Sequence, residues 1–137
     1  MRRPPEERAI ARLLQHPYGD AVESLTREES LVTRAMFGCL ACYVRGRLVL
    51  VLADRDPPWD GVLVPTGREH HDALRALVPA LRVHPVLGKW LYLAAAEDAF
   101  EREARHLAEL ARADDPRVGV EPTARQGRRG RRLRRQR

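Results

Sequence analysis

Residues 31–54 read LVTRAMFGCLACYVRGRLVLVLAD, and the spacing of their apolar side chains decides the fold. The period runs toward two, as in strands. It predicts three of them, Leu31 to Phe37, Leu40 to Val44 and Arg47 to Ala53. Arg45-Gly46-Arg47 is short enough for a hairpin turn, with glycine able to take the positive φ that such turns need. Asp54 to Asp60 (DRDPPWD) must be a loop, because its two prolines donate nothing to a ladder. Gly61 to Pro65 follows as a fourth strand of an antiparallel meander.

Outward from this segment the period lengthens. Pro4-Pro5-Glu6-Glu7 suits a helix start, with proline in the first turn and acids at the positive end of the dipole. Ile10, Leu13 and Leu14 continue at helical spacing as far as His16-Pro17, and Asp20 is placed to cap a second short helix carrying Val22 and Leu25. Thr66-Gly67-Arg68-Glu69 fits a capping box ahead of Leu74, Leu77, Val78 and Leu81. Arg82 to Ala94 reads as a fifth strand region interrupted by Pro85 and Gly88. A closing helix runs from about Glu97 to Ala113, with Phe100, Ala104, Leu107 and Ala111 as its buried stripe. The expected class is α+β, a sheet of about five antiparallel strands with helices on one face, in the order α-(α)-β-β-β-β-α-β-α.

Periodicity ends after Asp114-Asp115-Pro116. Residues 1–116 are therefore expected to form one domain and residues 117–137 a flexible arginine-rich tail. Charge divides at nearly the same place. Residues 125–137 hold 8 arginines (Arg125, Arg128, Arg129, Arg131, Arg132, Arg134, Arg135 and Arg137) and no acid. That leaves 17 basic against 19 acidic side chains in the rest of the chain, a net of −2. The positive charge of the protein belongs to its tail; such a run either holds nucleic acid or another polyanion or is a solvated tail with no dedicated partner, as in a homodimeric adaptor.

The longest clean apolar run, Leu48 to Ala53, is far too short for a membrane helix. The first residues lack the apolar stretch of a secretory signal, so the expected location is cytoplasmic, with no membrane partner. Cys39-x-x-Cys42 suggests a redox pair or half of a zinc site. However, the pair falls in or beside a strand, where an offset of three sends the two side chains to opposite faces, and no second ligand pair exists. Among the histidines, His70 and His71 diverge around a helix, and His16, His84 and His106 stand apart. Asp54, Asp56 and Asp60 lack the glycine and glutamate of a calcium loop. Neither a metal, a cofactor nor a catalytic residue is expected. If a pocket does lie between sheet and helices, Cys39, His84 and Lys89 are the residues a small enzyme or ligand-binding protein would use there.

With the strands placed, Arg34, Met36, Phe37 and Gly38, the hairpin glycine Gly46, and Gly88-Lys89-Trp90-Leu91-Tyr92-Leu93 before an amphipathic helix resemble the N-terminal domain of the TfoX/Sxy family. The resemblance spans roughly residues 5–113. It implies a small α+β domain, shaped like the YjbR-like and secretion-chaperone-like folds, in a bacterial regulator associated with natural competence, without established catalytic residues. The chain departs from the family in two respects. An arginine tail stands where the longer regulators carry a second, helical domain, and Cys39 and Cys42 stand where small or apolar residues are usual. Trp90 and Tyr92 share one face of their strand and Leu91 and Leu93 the other, so Trp90 and Tyr92 are a candidate surface for a partner or for homodimerisation.

Overall fold

The computed structural model describes residues 5–122. Six strands form one antiparallel sheet: β1 (Val32–Met36), β2 (Cys39–Val44), β3 (Arg47–Asp54), β4 (Asp60–Val64), β5 (Arg82–Val83) and β6 (Leu91–Ala94), in the order β1-β2-β3-β4-β6-β5. The α+β class stands, with six strands rather than five. Pro85 and Gly88 do not interrupt a single strand but lie in a loop that turns the chain back, so that β5 pairs with β6.

The first two hairpins turn on two residues each, Phe37-Gly38 and Arg45-Gly46, all four with positive φ. Paired left-handed residues make turns whose twist matches that of the flanking strands. Phe37 is thus the tip of a hairpin and not the last residue of a strand. Between Cys42↔Leu50 and Tyr43↔Leu48 the register slips by one residue at Val49, a bulge in β3. Leu48, Val51 and Ala53 consequently face one side of the sheet, and Val49, Leu50 and Leu52 the other.

Among the described residues, helices cover one side only. These are α1 (Pro5–Gln15), a 3-10 helix (Gly19–Arg27), α2 (His71–Leu77) and α3 (Phe100–Arg112). Leu13, Leu25, Leu74 and Leu107 meet Leu50, Leu52, Leu91 and Leu93 in a core from which water is excluded. The expected stripe on α3 is buried along its length. Among the described residues no helix is long and apolar enough to cross a membrane.

Two expected caps are replaced. Gly67, not Thr66, precedes the helical turn Arg68–His70 that leads into α2, and the buried Thr66 hydroxyl instead donates to the Arg117 carbonyl at 2.7 Å. Tyr18, not Asp20, precedes the 3-10 helix, and no side chain caps it.

The expected boundary at Pro116 moves for the same reason that Thr66 does. Val118 is fully buried, Gly119 N donates to Pro65 O, and Leu48 and Val120 exchange both backbone hydrogen bonds. Arg47 adds a bond of 2.8 Å to Gly119 O. Residues 117–120 therefore complete the sheet beside β3. The apolar signal here is only Val118 and Val120, too short for any periodicity. The same corner holds a run of ion pairs. Glu28 bonds Arg112 at 2.9 Å and Arg45 at 3.1 Å, and Asp114 lies 3.7 Å from both Arg45 and Arg47. Arg45 also donates to the Ala111 and Arg112 carbonyls, satisfying the end of α3.

Candidate functional site

The side of the sheet without helices is closed by two loops, 55–59 and 84–90. Backbone bonds from Arg55 N to Trp59 O and from Trp59 N to Asp56 O tighten the first loop and press the Trp59 ring toward the sheet. His84 ties the second loop to the first. Its Nδ1 accepts the backbone N–H of Val86 at 3.1 Å and of Leu87 at 3.0 Å, so the proton sits on Nε2, which donates to Pro58 O at 3.0 Å. The imidazole is fully buried, 4.6 Å from the Trp59 ring and edge-on to Tyr92. Burial holds its pKa below the ordinary histidine value, against the opposing effect of the Pro58 carbonyl. Tyr92 donates its hydroxyl to Asp60, and burial followed by the Asp60 carboxylate pushes the phenol pKa up.

Above this buried layer lies a second, exposed one. Phe37 is 56% exposed, with ring centres 6.1 Å from Trp59 and 6.5 Å from Trp90, both half-buried. Its φ of +56° is left-handed. That geometry costs a bulky L-residue on the order of 1–2 kcal/mol, in a turn position that asparagine, aspartate or glycine fill without strain. Little burial offsets the cost. Arg55 Nη1 donates to Phe37 O at 3.0 Å and fixes the tip. Further along the sheet Arg34 lies over the Tyr43 ring.

The residues singled out from the sequence fall in different places. Trp90 and Tyr92 do share this face and Leu91 and Leu93 the helix side, but Tyr92 is 6% exposed and only Trp90 reaches the surface. Cys39 and Cys42 point to opposite sides of the sheet, both buried. Burial pushes the Cys42 thiol up to about 12 and raises that of Cys39 as well. Both thiols are expected to resist labelling at pH 8 while the protein is folded and to react at the ordinary rate in denaturant. A Cys39 that reacted at once in the native state would contradict its buried placement.

His84 has both ring nitrogens committed to backbone groups, which leaves neither for proton transfer. Lys89 is exposed, on the rim of an open cleft of about 530 Å3 that also involves Arg68, His70 and Glu121. The layer between sheet and helices is filled by leucine and valine side chains. Among the described residues no three His, Cys, Asp or Glu side chains group as metal ligands. The eight tail arginines lie outside the described residues.

Phe37 and Trp59 complete a surface of which the sequence reading named only Trp90 and Tyr92. The available signal was the pair Phe37-Gly38, which has the same form as the turn Arg45-Gly46. Read as a two-residue turn, it puts an aromatic ring at a tip. Comparison with protein-family models, with curated proteins and with solved structures finds no match.

Proposed function

We propose that this chain is a cytoplasmic, non-enzymatic bacterial regulatory or interaction domain of the TfoX N-terminal type, which binds through its aromatic face and holds nucleic acid non-specifically through its arginine tail. The observation that carries the binding reading is Phe37, an exposed aromatic ring kept in a strained conformation. Strain of this kind clusters at binding and catalytic sites. The tail reading rests on the separation of charge. The described residues contain all 19 acids, whereas residues 125–137 contain 8 arginines and none.

A salt series on a labelled duplex oligonucleotide tests the tail. If the full chain neutralises ~6 phosphates, log K falls against log salt with a slope of about −5. A chain ending at Ala124 is expected to lose that binding. Equal and salt-insensitive affinity for the two chains would remove the proposal.

A further inference from the structure

We infer that His84 is a pH-sensitive latch: when its imidazole takes up a proton, loop 84–90 lets go of loop 55–59 while staying attached to α2. Such a device is additional to the function proposed above and does not depend on what the aromatic face binds.

Only as a neutral ring does His84 suit its seat. Its Nδ1 accepts from the Val86 and Leu87 amides, and its Nε2 donates to Pro58 O. An imidazolium has a proton on each nitrogen and no acceptor left. A new proton on Nδ1 would point at two N–H groups that stand 3.1 and 3.0 Å away. Donor would face donor, and both amides would lose their partner. A ring held in this way is either neutral or displaced.

The surroundings offset little of that conflict. The Pro58 carbonyl and the Trp59 ring, 4.6 Å from the imidazole, favour a cation. Burial opposes it and outweighs the carbonyl. From β6 the ring meets Tyr92, whose hydroxyl is bonded to Asp60. Arg55 and Asp56 on the first loop and Lys89 on the second are exposed to water, and Arg82 of β5 pairs with Glu97 at 3.2 Å. Among the described residues no carboxylate acts on the imidazole.

The bonds that survive acid decide how the loop opens. His84 N donates to Trp90 O at 3.0 Å and Trp90 N to Leu87 O at 3.1 Å, through backbone atoms alone. On α2, His71 Nε2 donates to Lys89 O at 2.8 Å. A carbonyl accepts that N–H whether or not His71 carries a second proton. Loop 84–90 thus keeps its own turn and its hold on α2, and gives up the bond to Pro58. The gap opens where the imidazole lay, beside Trp59 and Tyr92.

His16 has a similar arrangement elsewhere. Its Nδ1 accepts the Tyr18 amide at 3.0 Å, and its Nε2 lies 3.9 Å from Asp54. It stands in the turn after α1, so its protonation concerns that turn and not these loops.

Amide hydrogen exchange of the full chain reads the latch directly. In the released loop the ring titrates near pH 6.5, as an ordinary histidine does. The closed form is therefore fully favoured above that pH and loses ground as pH falls below it. Uptake of one proton makes the opening about tenfold more frequent at pH 5.5 than at pH 7.5. The protection factors of Val86 and Leu87 are expected to fall about tenfold over that range. They should not respond to low urea, because a loop opening exposes little surface. Leu52, in the middle of the sheet, exchanges through global unfolding and should respond.

His84→Asn is expected to abolish the pH response at both amides, and His16→Asn to retain it. Level protection at Val86 and Leu87 between the two pH values would overturn the latch. So would protection that follows that of Leu52 at every urea concentration, since the loops would then open only as the domain unfolds. A response that survives in His84→Asn, or that disappears in His16→Asn, would assign the proton to another group and overturn it too.

Discussion

Ending the chain at Pro116 is expected to destabilise the domain by about 4 kcal/mol, whereas ending it at Pro122 is expected to leave its stability within about 0.5 kcal/mol of the full chain. The shorter chain loses Val118, a fully buried side chain worth roughly 1.5–3 kcal/mol. It also loses the reciprocal bonds between Leu48 and Val120, the bond from Gly119 to Pro65, and the acceptors of Thr66 and Arg47. Each such bond contributes on the order of 1 kcal/mol, and the open edge of β3 recovers only part of this from water. A loss of that size is a large fraction of the stability of a small domain, which is about 5–15 kcal/mol. Urea unfolding of the two chains measures it. Coincident midpoints would show that residues 117–122 are not part of the folding unit. The result also bears on the binding experiments, since a chain cut at Pro116 would lose affinity by unfolding, and one cut at Ala124 keeps the sheet complete.

The second large effect is expected at His84. Substitution by alanine removes a side chain that joins the two loops and leaves Val86 N, Leu87 N and Pro58 O without their partners. A buried group left unsatisfied costs roughly 1–3 kcal/mol. Because water can reach part of the opened site, a total of about 3 kcal/mol is expected, with a changed tryptophan emission as Trp59 loses the imidazole beneath it. His84→Asn keeps an acceptor near the Nδ1 position but cannot reach Pro58, and should fall between the parent and the alanine variant. Equal stability of the alanine variant and the parent would mean that the loops hold themselves.

The same residue sets a pH dependence whose sign follows from burial. His84 and His16 both have pKa values lowered in the fold, by burial in each case, with the Pro58 carbonyl and Asp54 respectively opposing. The unfolded chain takes up protons near pH 6.5, while the folded chain stays neutral to lower pH. Stability is thus fully present above about pH 6.5 and declines as pH falls below it. The decline between pH 7.5 and 5.5 should be smaller in His84→Asn. The lowered carboxylates Glu28 and Asp115, held by Arg112 and Arg117, add their own loss only further into the acid range.

Much of the architecture is legible without coordinates because it depends on neighbours in the chain. Short apolar runs separated by turn residues over residues 31–54 suffice for the meander, since such runs are too short for helices and Arg45-Gly46 marks the reversal between two of them. The strand period of two puts Cys39 and Cys42 on opposite faces, and Trp90 with Tyr92 away from Leu91 and Leu93. Helical spacing is enough for the stripe on α3. The division of charge is a property of composition alone, and it separates an acidic body from a basic tail.

What only the tertiary structure decided depends on partners far along the chain. Leu31 to Phe37 reads as one strand, yet the pairing of Met36 with Cys39 makes Phe37 a turn residue and exposes its ring. The run from Leu48 to Ala53 is uniformly apolar, so nothing local shows that Val49 is the extra residue of a bulge; its opposing strand does. His84 joins Pro58 across 26 residues, and Thr66 reaches Arg117 across 51. Such bonds form because a buried polar group must find a partner wherever the fold places one. Periodicity assigns a side chain to a face, but the partner strand, loop or terminus that covers the face determines whether it stays exposed. For this chain that difference separates Tyr92, which the loops bury, from Phe37, which they leave open.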